Sequence, residues 1–269
     1  MNSRSHGVPA KVVSAAIALG AIALWETGSI LGWISPLLAP APSVIVRAVV
    51  DQITSGELGP HLLVTLYRVI SGIVIGGSFG AIVGLLLGMS ARARDVTDPF
   101  ISAIHPIPKI AILPVVMVLL GIGDASRIAV ISLAVFFPMM INTMNGVRQI
   151  NPTHLDVARN YGAAGVNLFR RVVLPASLPM ILSGLRIGVN LALLITISVE
   201  IAGANQGLGS LIWISWEVMR IDVVYASLFV IMLLGISLNV LVRMTSDALA
   251  PWLIQRDRQY PRRVTRVLV

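Results

Sequence analysis

The sequence runs to 269 residues, 56% of them hydrophobic and only 12% charged, with a mean hydropathy of +0.88 and a formal net charge of +8. A soluble domain of that size cannot hide so much apolar surface, so the composition calls for lipid as solvent and an all-α membrane protein as fold class. No cysteine is present, which excludes disulfides and thiolate metal sites, and the basic excess lies at the ends of apolar segments, which argues for a membrane surface and against nucleic acid.

A bilayer core about 30 Å thick takes ~20 apolar residues per helical crossing. The first candidate span covers 12–31, with Glu26 its single charge. It runs past the length of a signal-peptide core and lacks a small-residue cleavage site, so it reads as a retained span. Pro36, Pro40 and Pro42 follow, and then 43–56, where Val44, Val46, Val49, Val50 and Ile53 form an apolar stripe. The stripe predicts a short helix, either at the outer interface or packed on the bundle as a connector.

The second span, 69–91, carries no charge, and Gly72, Gly76, Gly80, Gly84 and Gly88 recur in it at every fourth residue. That spacing lines them up on one helix face, a ridge for close helix packing or for a sliding interface. The third span, 99–123, holds Pro106, Pro108 and Pro114, which predict a kinked or broken helix. Lys109 and His105 sit at the break, Lys109 either snorkelling to the interface or lining a path.

The fourth span, 128–147, and the last, 223–242, are free of charge. Between them 172–199 contains Arg186, for which its own helix offers no partner. Glu200 closes that span, followed by Gly203, Gly207, Gly209 and an apolar run, 211–216, too short to cross. The run reads as an interfacial or re-entrant turn, with Trp213 and Trp216 as interfacial anchors. His105, Lys109, Arg186 and Glu200 are the candidates for a translocation path.

About six crossings put both chain ends on one side. Arg4, Lys11, Arg92, Arg94, Arg148, Arg159, Arg170, Arg171, Arg243, Arg256, Arg258, Arg262, Arg263 and Arg266 fall on one face, and only Arg47, Arg68, Arg127 and Arg220 on the other. The bias toward positive cytoplasmic loops therefore predicts cytoplasmic termini and a cytoplasmic 148–171 loop.

That loop opens with Asn151 and Pro152 as a helix start, continues through Asp156, Val157, Ala158 and Gly162, and re-enters the membrane at Leu174 and Pro175. A short helix, a glycine turn and a second helix led back by proline make a rigid knob. The spacing resembles the EAA motif of type I ATP-binding-cassette (ABC) importer permeases, in which an acidic residue, small residues, a glycine and a Leu-Pro pair stand at these intervals. Gly121 to Asp124, Gly184 to Arg186 and Gly207 to Gly209 resemble the nitrate, sulfonate, taurine and bicarbonate branch of that family. The resemblance covers 61–243. Asp156 stands for the usual Glu, Val157 for the usual Ala, and Asn239 where branch members often carry Asp.

The resemblance implies a MetI-like fold of about six spans in the bacterial inner membrane, divided as 1–60 (first span and outer helix), 61–247 (permease core) and 248–269 (basic tail). It implies that Asp156, Val157, Ala158 and Gly162 dock on a separate ATPase dimer, while Leu174 and Pro175 begin the next span. It further implies a second permease copy, identical or a close paralogue, a periplasmic or lipid-anchored substrate-binding protein, and a small anion as substrate. The only lysines are Lys11 and Lys109, neither in a P-loop pattern, so ATP and Mg are expected at the partner and no cofactor on this chain. An ion-coupled transporter or channel would call for several intramembrane acids or an inverted repeat, and here the acids reduce to Glu26 and Glu200. An intramembrane enzyme would call for a zinc-binding His pattern or paired carboxylates, which the chain lacks.

Overall fold

The computed structural model describes residues 10–35 and 37–251. Pro36, Arg4 and most of the basic tail, with Arg256, Arg258, Arg262, Arg263 and Arg266, lie outside the described residues. Helix α1 spans Ala10–Ile30 and α2 spans Pro42–Thr54. Glu26 of α1 binds the start of α2: its carboxylate accepts from the Ser43 hydroxyl at 2.6 Å and the Ser43 N–H at 3.0 Å. A carboxylate at a helix N-terminus meets both the free N–H groups and the positive end of the dipole. The lone charge of the first span is thereby explained.

The buried side of α2 is Ile45, Ala48 and Gln52, whereas Val44, Val46, Val50 and Ile53 of the valine stripe are exposed. The expected short helix is present, and the stripe is not the face by which it packs on the bundle. In lipid an apolar stripe marks no core, because the surrounding solvent is equally apolar, and the smaller face is the one that packs.

Helix α3, Leu58–Met89, is followed by α4, Ala91–Ile104, a short 3-10 turn at Lys109–Ile112 and α5, Leu113–Leu120. The axis bends by 85° between α4 and α5, at the proline-rich segment where a break was expected. Lys109 closes the break. Its Nζ donates to the carbonyls of Ile104, His105 and Ile107 at 3.2, 2.6 and 2.8 Å and lies 4.9 Å from the Phe137 ring centre. The ammonium thus satisfies the carbonyls that a broken helix leaves open.

Helix α6 spans Asp124–Arg148 and receives the glycine ridge. A β-carbon at Gly80 would lie 2.6 Å from the Phe136 carbonyl oxygen, and one at Gly88 would lie 2.6 Å from the Val147 β-carbon. Without a hydrophobic force between helices in lipid, such close approach supplies the packing energy. Helix α7, Pro152–Asn160, and α8, Gly165–Leu168, form the connecting knob. A π-turn at Phe169–Val173 then joins α9, Leu174–Ile201, and this bulge falls where Pro175 withholds an N–H from the ladder. Helix α9 packs on α6 through Gly184 and Gly188.

Helix α10 is Leu208–Glu217, too short to cross, and α11 is Ile221–Leu249. Among the described residues five helices are long and apolar enough to span a membrane, and α4 with α5, bent by 85°, has the length and composition of either a sixth, broken span or a re-entrant loop. The central core joins Val69, Val130, Ile131, Val135, Val189, Ala192 and Val199, drawn from α3, α6 and α9.

Candidate functional site

The bundle carries distinct chemistry at its two ends. At the end where α3, α6 and α11 begin and α9 finishes, the first turns of α3 present His61, Thr65 and Arg68 on one face, at spacings of four and three. Helix α6 opposes them with Asp124 and Arg127, and α9 with Glu200. Arg68 is 3% exposed and Glu200 1%. Arg68 Nη1 donates to Glu200 at 2.9 Å and to the Gln206 carbonyl at 2.6 Å, while Nε and Nη2 hold Asp124 at 2.8 and 2.6 Å. One guanidinium thereby ties three helices and a loop.

The Glu200 carboxylate also accepts from the Thr65 hydroxyl at 2.9 Å and from the Gly209 N–H at 2.9 Å. Thr65 in turn accepts from the Leu208 N–H at 2.8 Å. The N-terminus of α10 is therefore aimed at a buried carboxylate, the arrangement that its free N–H groups and dipole favour. Glycine is required around this contact. Gly207 has φ of 124°, and a side chain there would overlap the carboxylate. A β-carbon at Gly209 would sit 2.6 Å from the Ile197 carbonyl oxygen. The Gly-Leu-Gly run is thus the geometry of a short helix seated on Glu200. His61 Nδ1 lies 3.1 Å from the Gly207 N–H and completes the seat.

Beside this hub opens a polar cavity of about 460 Å³, lined by Arg68, Asp124, Arg127, Gly203, Asn205 and Gln206 among others. Buried charges in a bilayer protein persist only when paired or facing such a cavity.

At the other end, α7 stands out with an Asn151 cap that accepts from the Thr153 N–H at 2.9 Å. It stops at Gly162, whose φ of 82° is left-handed. The Gly162 N–H bonds the Arg159 carbonyl and the Ala163 N–H bonds that of Ala158, each at 2.9 Å, a complete Schellman cap. Asp156 pairs with Arg159 at 3.3 Å, with both side chains exposed. Val157, Tyr161 and Val166 are 48, 90 and 69% exposed, an apolar tip on a polar element.

The four path candidates do not converge. His105 and Lys109 meet at the α4–α5 break, beside Phe137. Arg186 is exposed and lines a 230 Å³ pocket with Ser183, Ser246 and Asp247, roughly 20 Å along α9 from Glu200 by helix rise. Thr65, Arg68, Asp124 and Arg127 went unrecognised in the sequence as a site. The signal was present in the charge tally: Arg68 and Arg127 were exceptions on the face otherwise poor in basic residues.

Residues 76–255 match the family described as binding-protein-dependent transport system inner membrane component. The aliphatic sulfonates transport permease protein SsuC of Escherichia coli, so named as putative, is 34% identical over 81% of this chain and 82% of its own. The taurine transport system permease protein TauC of the same organism is 31% identical over 86% of each chain. A chain of the inward-facing MetNI methionine ABC transporter superposes with a TM-score of 0.54 at 21% identity, covering 79% of this chain and 97% of that one, a likeness of fold. The chain belongs to the binding-protein-dependent transport inner-membrane family and is a multi-pass permease subunit of an ABC importer, in the branch that holds SsuC and TauC.

Proposed function

We propose that this subunit forms part of a translocation path for small sulfonates and couples it to a separate ATPase pair through α7 and the Gly162 turn. The observation that carries the reading is the capped, exposed knob of Asp156, Val157, Ala158 and Gly162, at the opposite end of the bundle from the buried hub. Its rigidity suits a mechanical role: a helix fixed at both ends by caps transmits a push, and its apolar tip offers a surface for a cleft. Leu174 and Pro175, after the π-turn, convert that push into tilt of α9. The knob end is cytoplasmic, as the basic residues around it favour, and the hub end faces outward.

Within the broader anion class, the names of the relatives SsuC and TauC support the choice of sulfonates such as taurine. Substrate arrives from a separate binding protein, two permease copies or close paralogues enclose the path, and ATP with Mg acts at the partner ATPases. Uptake of a sulfonate by cells carrying the complete transporter tests the coupling. Scrambling 156–162 abolishes uptake while abundance and insertion stay normal; undiminished uptake refutes it.

A further inference from the structure

The cavity beside the hub contains an arginine whose hydrogen-bonding capacity is only partly used. Arg127 is 6% exposed, yet its Nε has no hydrogen-bond partner. Its Nη1 lies 3.7 Å from Asp124, beyond hydrogen-bond length, and its Nη2 donates to the Gly203 carbonyl at 2.6 Å. A guanidinium offers five donors in a planar fork suited to oxyanions, and leaving them unmatched when buried is unfavourable. Asp124 is shared between the two arginines: its Oδ1 accepts from Arg68 at 2.6 and 2.8 Å and only faces Arg127 at 3.7 Å. Glu200 is consumed by Arg68, Thr65 and Gly209.

Both arginines of the cavity also donate to backbone carbonyls of one loop, Arg127 to Gly203 and Arg68 to Gln206. A carbonyl is a neutral acceptor that a charged oxygen outcompetes. The loop is held in place besides, by the Ala204 N–H on the Glu200 carbonyl at 3.0 Å and by the Ser210 hydroxyl on the Ala204 carbonyl, so the cavity wall stays put when the Gly203 carbonyl gives up Arg127. We propose that Arg127 is the principal residue of an oxyanion site at this mouth, where a singly charged oxyanion displaces the Gly203 carbonyl from the guanidinium and covers the cavity rim at Asn205. The site rests on the reading of this end as the outward mouth. A sulfonate solute and the phosphate of a lipid with net negative charge share the required chemistry.

The absence of cysteine makes the test direct. Asn205 is exposed on the cavity rim, so Asn205→Cys is labelled with a maleimide in the permease assembled with its ATPase, in phosphatidylcholine nanodiscs. Methanesulfonate should slow labelling saturably, about tenfold at ten times its Kd by mass action. Uncharged dimethyl sulfone should not, and a Tyr161→Cys control at the other end should be indifferent to both. Protection should vanish in Arg127→Gln and survive in part in Arg127→Lys. Slowing by phosphatidylglycerol nanodiscs without added sulfonate keeps the oxyanion chemistry and assigns it to lipid. Equal protection by the sulfone, no protection at all, or full protection in Arg127→Gln overturns the site. The sulfone comparison needs no Arg127 variant, so it stands even if Arg127→Gln misfolds. Sulfonate uptake measured in parallel separates the two readings: uptake without protection removes the site and leaves sulfonate as the substrate, whereas protection without uptake supports the site and counts against sulfonate as the transported solute.

Discussion

The two ends of the bundle use the same residue types for opposite purposes. At one end Arg68, Asp124 and Glu200 form an ion-pair network in which Arg68 and Glu200 are almost wholly buried. At the other, Asp156 and Arg159 form a pair with 66 and 60% of their side chains exposed. Burial decides what each is worth. A buried charge whose partner is removed is left uncompensated, whereas water and salt screen an exposed pair until it contributes little. The hub therefore holds helices together, and the knob is free to meet something outside the chain.

The sharpest way to break this comparison is Glu200→Ala, which takes one of the two carboxylates from buried Arg68 and leaves the Thr65 hydroxyl and the Gly209 N–H without their acceptor. It should destabilise the detergent-solubilised protein by about 3–5 kcal/mol, read as a lowered midpoint in thermal unfolding. Glu200→Gln, which keeps a side-chain oxygen for the Thr65 hydroxyl and the Gly209 N–H while Asp124 still pairs with Arg68, should lose less. If Glu200→Ala melts like the parent, the hub is not structural.

A smaller effect is expected in the packed middle. Gly80→Val drives a branched side chain into the Phe136 carbonyl and Met139, and overpacking of this kind costs about 1–3 kcal/mol. The same midpoint measurement checks it, with Gly20→Val on α1, where a β-carbon meets nothing within 4 Å, as the control. Smallest of all is Asp156→Ala, which should change stability by less than about 0.5 kcal/mol and yet impair sulfonate-dependent ATPase stimulation in the assembled transporter. Equal stimulation by the variant would make the exposed pair mere surface.

Much of the architecture was legible because lipid solvent enforces simple rules. Charge-free runs marked spans, the fourfold glycine spacing marked a helix face, and Pro106 and Pro108 marked the break. The glycine ridge announced a close contact but not its partner, since α6 carries no matching periodicity and presents mostly backbone and β-carbons to it. The knob was legible because its cap is local: Asn151, Gly162 and Ala163 bond within the segment itself.

The hub was not legible, for the opposite reason. Arg68 and Glu200 are 132 residues apart, and no local rule pairs them. In one dimension Arg68 and Arg127 looked like loop charges flanking spans, because a helix that starts early with a buried ion pair carries the same letters as a loop. Helix α3 begins at Leu58, well before the charge-free run, which is where that ambiguity is resolved. Lys109 shows the same limit, since its three carbonyl acceptors exist only once the helix has broken.

Cysteine crosslinking tests the division between the two ends most directly, because the chain has no cysteine of its own. Val157→Cys on the knob and Met219→Cys at the hub end, both at exposed positions, would each be reacted with a short bifunctional crosslinker in membranes containing the ATPase. The account predicts a permease–ATPase adduct from position 157 and none from position 219. No adduct at 157, or equal adducts from both ends, would contradict it.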